Sequence, residues 1–451
     1  MKKLLFFIVA LSMMMGCEKA SYVAKFDESP QKRVSAQMNL VSTTLTSSPN
    51  GWIATLPTGK GGGYSFYMSF DNNQNVTMYG DMTDKSASEG VKSNYRVKQG
   101  IGTDLVFDTY NYISMLNDPD KNVLGGADKL GYNSDNDFTY DRSSGDSIVF
   151  MGKKFRQPLK LIKATAAQKA SYEAVGLKAA IDRFKAFFVT NQNPYIEVVS
   201  GTKTLQVGLS INPTNNLEIG KRTTFIWLLA DGITTKTLNQ KFAFTLDGAS
   251  ILNSGLNFEG TTFVKYVWKD ATTLNIYDST GKEYVVKNSP NPIVPLYSLW
   301  GTVYSGMLSE FKTIYPGTST AGADILNFYH NNLSVYTVNG IADFNYGRIN
   351  LVWNVPNKRL TIDAHSSQSN GIFTWVTTST YNYTVDNNGV YKFTLNSAPS
   401  GGYATKLIVK LHDFILANSI AFDYYSANGI TYAKMSSIER PATVMTFSLI
   451  K

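Results

Sequence analysis

Between positions 64 and 79 the chain alternates in a way that few folds can use. Tyr64, Phe66, Met68 and Phe70 fall on one side of an extended backbone, residues 71–75 are Asp, Asn and Gln, and residues 76–79 start back. Period-two alternation interrupted by Asp/Asn clusters marks an antiparallel hairpin. The unit recurs. Strands are expected at 51–55, 95–98 and 105–110; 137–140 and 147–151 flank the turn Ser143-Ser144-Gly145-Asp146; 159–163 closes the run. Many short strands joined by tight turns predict a barrel or a sandwich. The expected fold is therefore mainly β, built of antiparallel barrel- or sandwich-like modules with a few bracing α-helices. Aromatics at 13% and charged residues at only 17% suit such sheets.

The braces are legible from their ends. Ser29-Pro30 supplies an N-cap followed by proline at the first helical position, and Val34, Met38, Val41 and Leu45 then recur at helical spacing. Thr165-Ala166-Ala167-Gln168 is a capping box opening a second helical stretch to about Thr190, broken at Gly176. Tyr172, Val175, Phe184, Phe187 and Phe188 give it a core face. Strands resume at 205–211, 223–229, 241–246, 263–268, 274–277 and 284–286, and Pro290, Pro292 and Pro295 mark a boundary. Beyond it, residues 305–314 read as a short helix before further strands at 349–353, 360–363, 373–377, 381–385 and 390–395. The expected organisation is a leader at 1–16, a tether at 17–28, and a helix-plus-β module at 29–165. A helical connector follows at 166–190, then a β module at 191–289, a proline-rich linker at 290–299 and a last β module at 300–451. Helix-then-meander occurs twice, at 29–165 and 300–451, with no residue-level repeat.

The first residues read as processing signal rather than structure. Lys2 and Lys3 precede an apolar run from Leu4 to Met15, which ends in Gly16-Cys17. The run is shorter than the ~20 residues needed to span a bilayer and has the layout of a signal peptide. Cys17 is the only cysteine. Placed just after the small residue at a cleavage site, it is the expected lipidation residue, and with no second cysteine no internal disulfide can form. The mature chain is then expected to be held at a membrane by acyl chains, each buried methylene contributing about 0.8 kcal/mol. Glu18 followed by Lys19 leaves both faces of that membrane open.

Phe26-Asp27-Glu28-Ser29, Gly51-Trp52-Ile53-Ala54-Thr55, Gly62-Gly63-Tyr64-Ser65-Phe66-Tyr67, Val76-Thr77-Met78-Tyr79 and Leu105-Val106-Phe107-Asp108-Thr109-Tyr110 together resemble the domain-of-unknown-function 4302 family, most strongly over 26–165. The resemblance implies a lipoprotein of a Bacteroidota-type outer membrane. It carries no catalytic residue over. It also implies, by analogy, a place beside an outer-membrane importer of glycans, peptides or metal chelates.

Sites that could carry chemistry are few. His330, His365 and His412 have no His, Cys or acid at zinc-motif spacing; a haem ligated by histidine needs no local motif and stays open. Asp71, Asn73 and Asn75 imitate the start of a calcium loop, but Val76 and Met82 stand where glycine and a bidentate glutamate belong. Asp135, Asn136, Asp137 and Asp141 form a second acidic loop. No catalytic, cofactor-binding or metal residue is assigned, and neither calcium nor haem is supported. No Gly-x-Ser-x-Gly elbow occurs. Glu197, Glu259 and Glu283 are carboxylates that sequence cannot pair for glycoside hydrolysis.

The formal charge of +8, or +6 once Lys2 and Lys3 leave with the leader, is scattered. Its densest cluster, Lys153, Lys154, Arg156, Lys160 and Lys163, reads as lysines guarding an edge strand. Nucleic acid is not an expected partner. Trp52, Trp227, Trp268, Trp300, Trp353 and Trp375 fall on or near strands; each either fills a core or offers a flat face to a ligand. The leading expectation is a non-catalytic, lipid-anchored protein that binds a small molecule, glycan or peptide for an uptake system. A structural or adhesive surface protein and a hydrolase of glycans or peptides are the alternatives.

Overall fold

In a computed structural model, residues 29–211, 221–229, 234–335 and 344–451 are described. The expected leader, the tether and Cys17 lie outside the described residues. The chain forms three antiparallel β barrels in succession. The first runs through eight strands from Trp52–Pro57 to Pro158–Lys163, each paired with its sequence neighbour, and the last returns to the first through Trp52↔Lys163 and Thr55↔Lys160. Closure leaves no edge, so the basic residues around 153–163 do not guard one. Lys153 instead reaches the buried carboxylate of Asp104 at 2.8 Å.

The second barrel, from Pro194–Ser200 to Lys287–Asn288, closes differently. One chain segment, interrupted at Val286, pairs through Glu283–Val285 with Leu274–Asp278 and through Lys287–Asn288 with the barrel's first strand. The third barrel again has eight strands, from Gly306–Glu310 to Val444–Ile450. Its first strand falls where a short helix was expected. Residues 306–310 bond to 348–352 on one side and 306–308 to 448–450 on the other. Those two ladders outweigh a local helical spacing, a case of tertiary pairing overriding propensity.

Helices pack into each barrel's core. Pro30–Thr46 buries Val41 and Leu45 in the first, where Trp52 donates its indole N–H to the Leu45 carbonyl at 2.9 Å. Ala166–Glu173 and Gly176–Thr190 bury Leu177, Ile181, Phe184 and Phe188 in the second, Tyr172 stacks on Tyr67 of the first with ring centroids 5.1 Å apart, and the capping box at Thr165 and Gln168 forms. Thr320–Val335 and Val409–Ala417 supply Leu326, Tyr329, Leu411 and Phe414 to the third. Trp300, just past the prolines, stacks on Trp353 with ring centroids 4.0 Å apart and planes 5° apart, so the linker is fastened to the third barrel. None of the described helices is long and apolar enough to cross a membrane.

Candidate functional site

The first and second barrels meet on a glycine-rich turn, and the contact is close enough to need its glycines. A Cβ on Gly62 would lie 1.7 Å from Cβ of Lys221, and one on Gly63 would lie 2.3 Å from Cδ1 of Leu252. Three cations of the second barrel converge there. Arg222 donates to the Gly61 carbonyl at 3.3 Å, Lys241 donates to the Thr58 carbonyl, and Lys221 forms an ion pair with Asp81. Both partners of that pair are fully buried. Asp81 also accepts the Ser65 amide at 3.0 Å and, across the junction, the Phe244 amide at 2.9 Å. Lys221 sits 4.5 Å from the centre of the Phe244 ring and 5.0 Å from that of Tyr64. Burial pushes its ammonium below the usual lysine range, against the pull of Asp81.

Beside this junction lies a cleft of about 490 Å³, within the span usual for small-ligand sites. One wall is the outer face of the first barrel: Thr55, Pro57, Val149, Lys160 and Ile162, with Arg142 at its margin. They point outward because Leu56, Ile148, Phe150, Leu159 and Leu161, one position away in each strand, point into the barrel. The other wall is the segment 250–255 with Val264. There Asn253, Ser254 and Gly255 take φ of 52°, 68° and 89° in succession. Left-handed backbone at a non-glycine residue costs about 1–2 kcal/mol, and two such residues border the cleft. They are held by Leu252 donating to the Lys241 carbonyl at 2.9 Å and Gly255 donating to the Leu252 carbonyl at 3.0 Å. The lining mixes apolar side chains with Thr55, Ser250, Asn253 and Ser254, and holds two cations and no carboxylate. Arg142 is shared with Asp141.

The motifs singled out from sequence lie elsewhere and are occupied. Asp71 accepts the amides of Asn73 and Asn75, each at 2.9 Å, and the Asn75 side chain; that side-chain bond first of all holds its carboxyl below the usual range. This is an Asx turn closing a hairpin. Asp135 accepts the amides of Lys154 and Phe155, Asp137 faces Lys98, and Asp141 pairs with Arg142. Among the described residues no group of His, Cys, Asp and Glu is arranged to hold a metal ion. His330 is fully buried, its Nε2 3.0 Å from Ser309 Oγ; His365 meets Asn350 at 3.3 Å; His412 meets the Tyr381 hydroxyl at 2.7 Å. Glu197 and Glu283 border one shallow depression of the second barrel, but Lys287 takes the first and Lys269 and Asn275 the second. Glu259 stands in a turn at φ 47°.

Of the tryptophans, Trp52, Trp227, Trp300 and Trp353 are buried, Trp268 is half-covered beneath the Arg183 guanidinium, and Trp375 is exposed. The cleft itself draws on segments about 90 to 200 positions apart in sequence. Its nearest sequence signal was the glycine run at 59–63, which says that something approaches the backbone closely without saying what.

A family profile described as "Domain of unknown function (DUF4302)" matches residues 24–270. That span contains both walls of the cleft and the Asp81–Lys221 pair. No curated protein matches. Among solved structures, the DNA polymerase III subunit beta DnaN sliding clamp from Bartonella birtlesii LL-WM9 aligns over 92% of this chain and 98% of its own, at 7% identity and a TM-score of 0.14. A likeness of that size bears on neither fold nor function.

Proposed function

Because the chain belongs to the DUF4302 family, we propose that its function resides in the part that family shares, as a non-catalytic binding protein whose ligand occupies the cleft between the first two barrels. The observation that carries this reading is the cleft's lining: apolar Pro57, Val149, Ile162, Leu252 and Val264, uncharged polar groups between them, the cations Lys160 and Arg142, and no carboxylate. Such a surface favours a small amphiphile with an anionic head and an apolar body. Charge-assisted hydrogen bonds fix the head and area burial holds the body. The walls are preorganised, since the junction beside them is tied by a buried ion pair, and binding then costs little ordering. The reading extends to the cell envelope. Lipidation at Cys17 would hold the protein at the outer membrane, where it hands ligand to an importer, as the family resemblance implies.

The test uses the full mature chain. Titrating calorimetry with straight-chain carboxylates of increasing length, and with the matching alcohols, should show binding that strengthens with chain length and favours the carboxylate. Lys160→Glu should weaken the carboxylate at least about tenfold while leaving the thermal midpoint unchanged. Equal affinity of the variant, or no binding by any member of the series, overturns the cleft as the site. Separately, Cys17→Ser should abolish incorporation of labelled palmitate; retained label overturns the anchor.

A further inference from the structure

The third barrel carries an apolar tip outside the matched family region. Ile372 and Phe373, adjacent in the loop 368–374, are 77% and 75% exposed. Beside them Trp375 and Tyr403 meet edge to face with ring centroids 5.2 Å apart, both resting on buried Phe344. Strand register places this cluster at one end of the barrel. Tyr346–Asn354 and Trp375–Val385 begin there, and Arg359–Ser367 and Val390–Ser400 finish there. The linker joins the opposite end, where Trp300 stacks on Trp353.

The tip is held out rather than left loose. The Ser367 hydroxyl accepts the amides of Ser369 and Gly371 at 3.0 and 3.2 Å, the Ser369 hydroxyl accepts the amide of Phe373 at 2.9 Å, and Asn345 accepts that of Asn370 at 2.9 Å. A loop so tied presents two large apolar side chains to water at a standing cost, and contiguous exposed apolar surface marks a contact. Within the cluster Ile372 and Phe373 are the most exposed, and Trp375 and Tyr403 keep 39% and 36% of their surface in solvent. Gln368 and Asn370 of the loop are exposed, as is Lys406, three residues after Tyr403. Residues 364–376 and 394–409 contain no carboxylate. That composition suits a bilayer surface: apolar side chains for the acyl region, Trp and Tyr for the interface, and a cation without carboxylates for anionic headgroups.

We propose that this end of the third barrel inserts Ile372 and Phe373 into the surface of a phospholipid bilayer, with Trp375 and Tyr403 at the headgroup level and Lys406 beside anionic lipid. The contact is independent of the cleft and of any acyl anchor. Accordingly the test uses the full mature chain carrying Cys17→Ser, with vesicles of phosphatidylcholine alone and of phosphatidylcholine with phosphatidylglycerol. The chain should co-sediment with both, more with the anionic vesicles, and Phe373→Asp should reduce partition at least about tenfold. Lipids brominated along the acyl chain should quench part of the tryptophan emission, and Trp375→Phe should remove that part. Failure to sediment, or unchanged partition of Phe373→Asp, overturns the proposal. So does a concentration-dependent dimer abolished by the same substitution without vesicle binding, which would give the face to a second copy.

Discussion

At the residue scale, two buried ionisable sites decide how the molecule responds to mutation and to pH. Asp81 neutralises Lys221 and accepts two backbone amides. Asp81→Ala therefore strands a buried ammonium, a loss of about 3–5 kcal/mol to be read from denaturant unfolding. Lys221→Met added to it should recover part of that loss, and a cycle of the two gives their coupling. His330 is the other case. Burial pushes its imidazole down to about 4, while in the unfolded chain it titrates near 6.5. Between those values the unfolded state binds the proton and the folded state does not. Stability is thus full above pH 6.5 and falls as pH drops toward 4, by up to roughly 3 kcal/mol. His330→Gln should flatten that slope, measured as the unfolding midpoint against pH.

At the scale of the element, the chain's local signals were mostly sufficient. The caps at Ser29 and Thr165, the interruption at Gly176 and the hairpin turn at Asp71 could be read from neighbouring residues because each is a contact among neighbours. The strand Gly306–Glu310 could not, since its partners lie about 40 and 140 positions further on. The interruption has its own consequence. Val175, the residue before the second connector helix, is β-branched, exposed, and at φ 63°. Val175→Gly should raise stability by about 1 kcal/mol, because glycine adopts that conformation freely; the thermal midpoint reports it. No gain there would mean that Val175 packs better than its exposure suggests.

At the scale of the whole molecule, closure was the feature hidden from sequence. Alternation identifies a strand's inner face, but whether its sheet curls shut depends on a pairing between the first and last strands, which no local pattern records. The cleft was hidden for the same reason: its walls come from the first barrel and from residues 250–264. The junction beside it ties the first barrel to the second through charged, backbone and aromatic contacts, whereas the third meets the second through the proline-rich segment and Ile226. Scanning calorimetry should accordingly show Asp81→Ala lowering one transition and sparing another that belongs to the third barrel. A single transition moving as a whole would mean that the three melt together.

The first cylinder is sealed by four residue pairs and the third by three, the second by the pairing of Lys287 and Asn288 with Tyr195 and Pro194 alone. It is the shortest of the three seams, helped at its end by Ser289 donating to the Asn193 carbonyl at 3.0 Å. This is the place where the middle of the protein should breathe, exchanging its amide hydrogens for deuterium ahead of the rest of the sheet and offering a protease its first foothold. A disulfide engineered across those strands should slow both without touching the cleft.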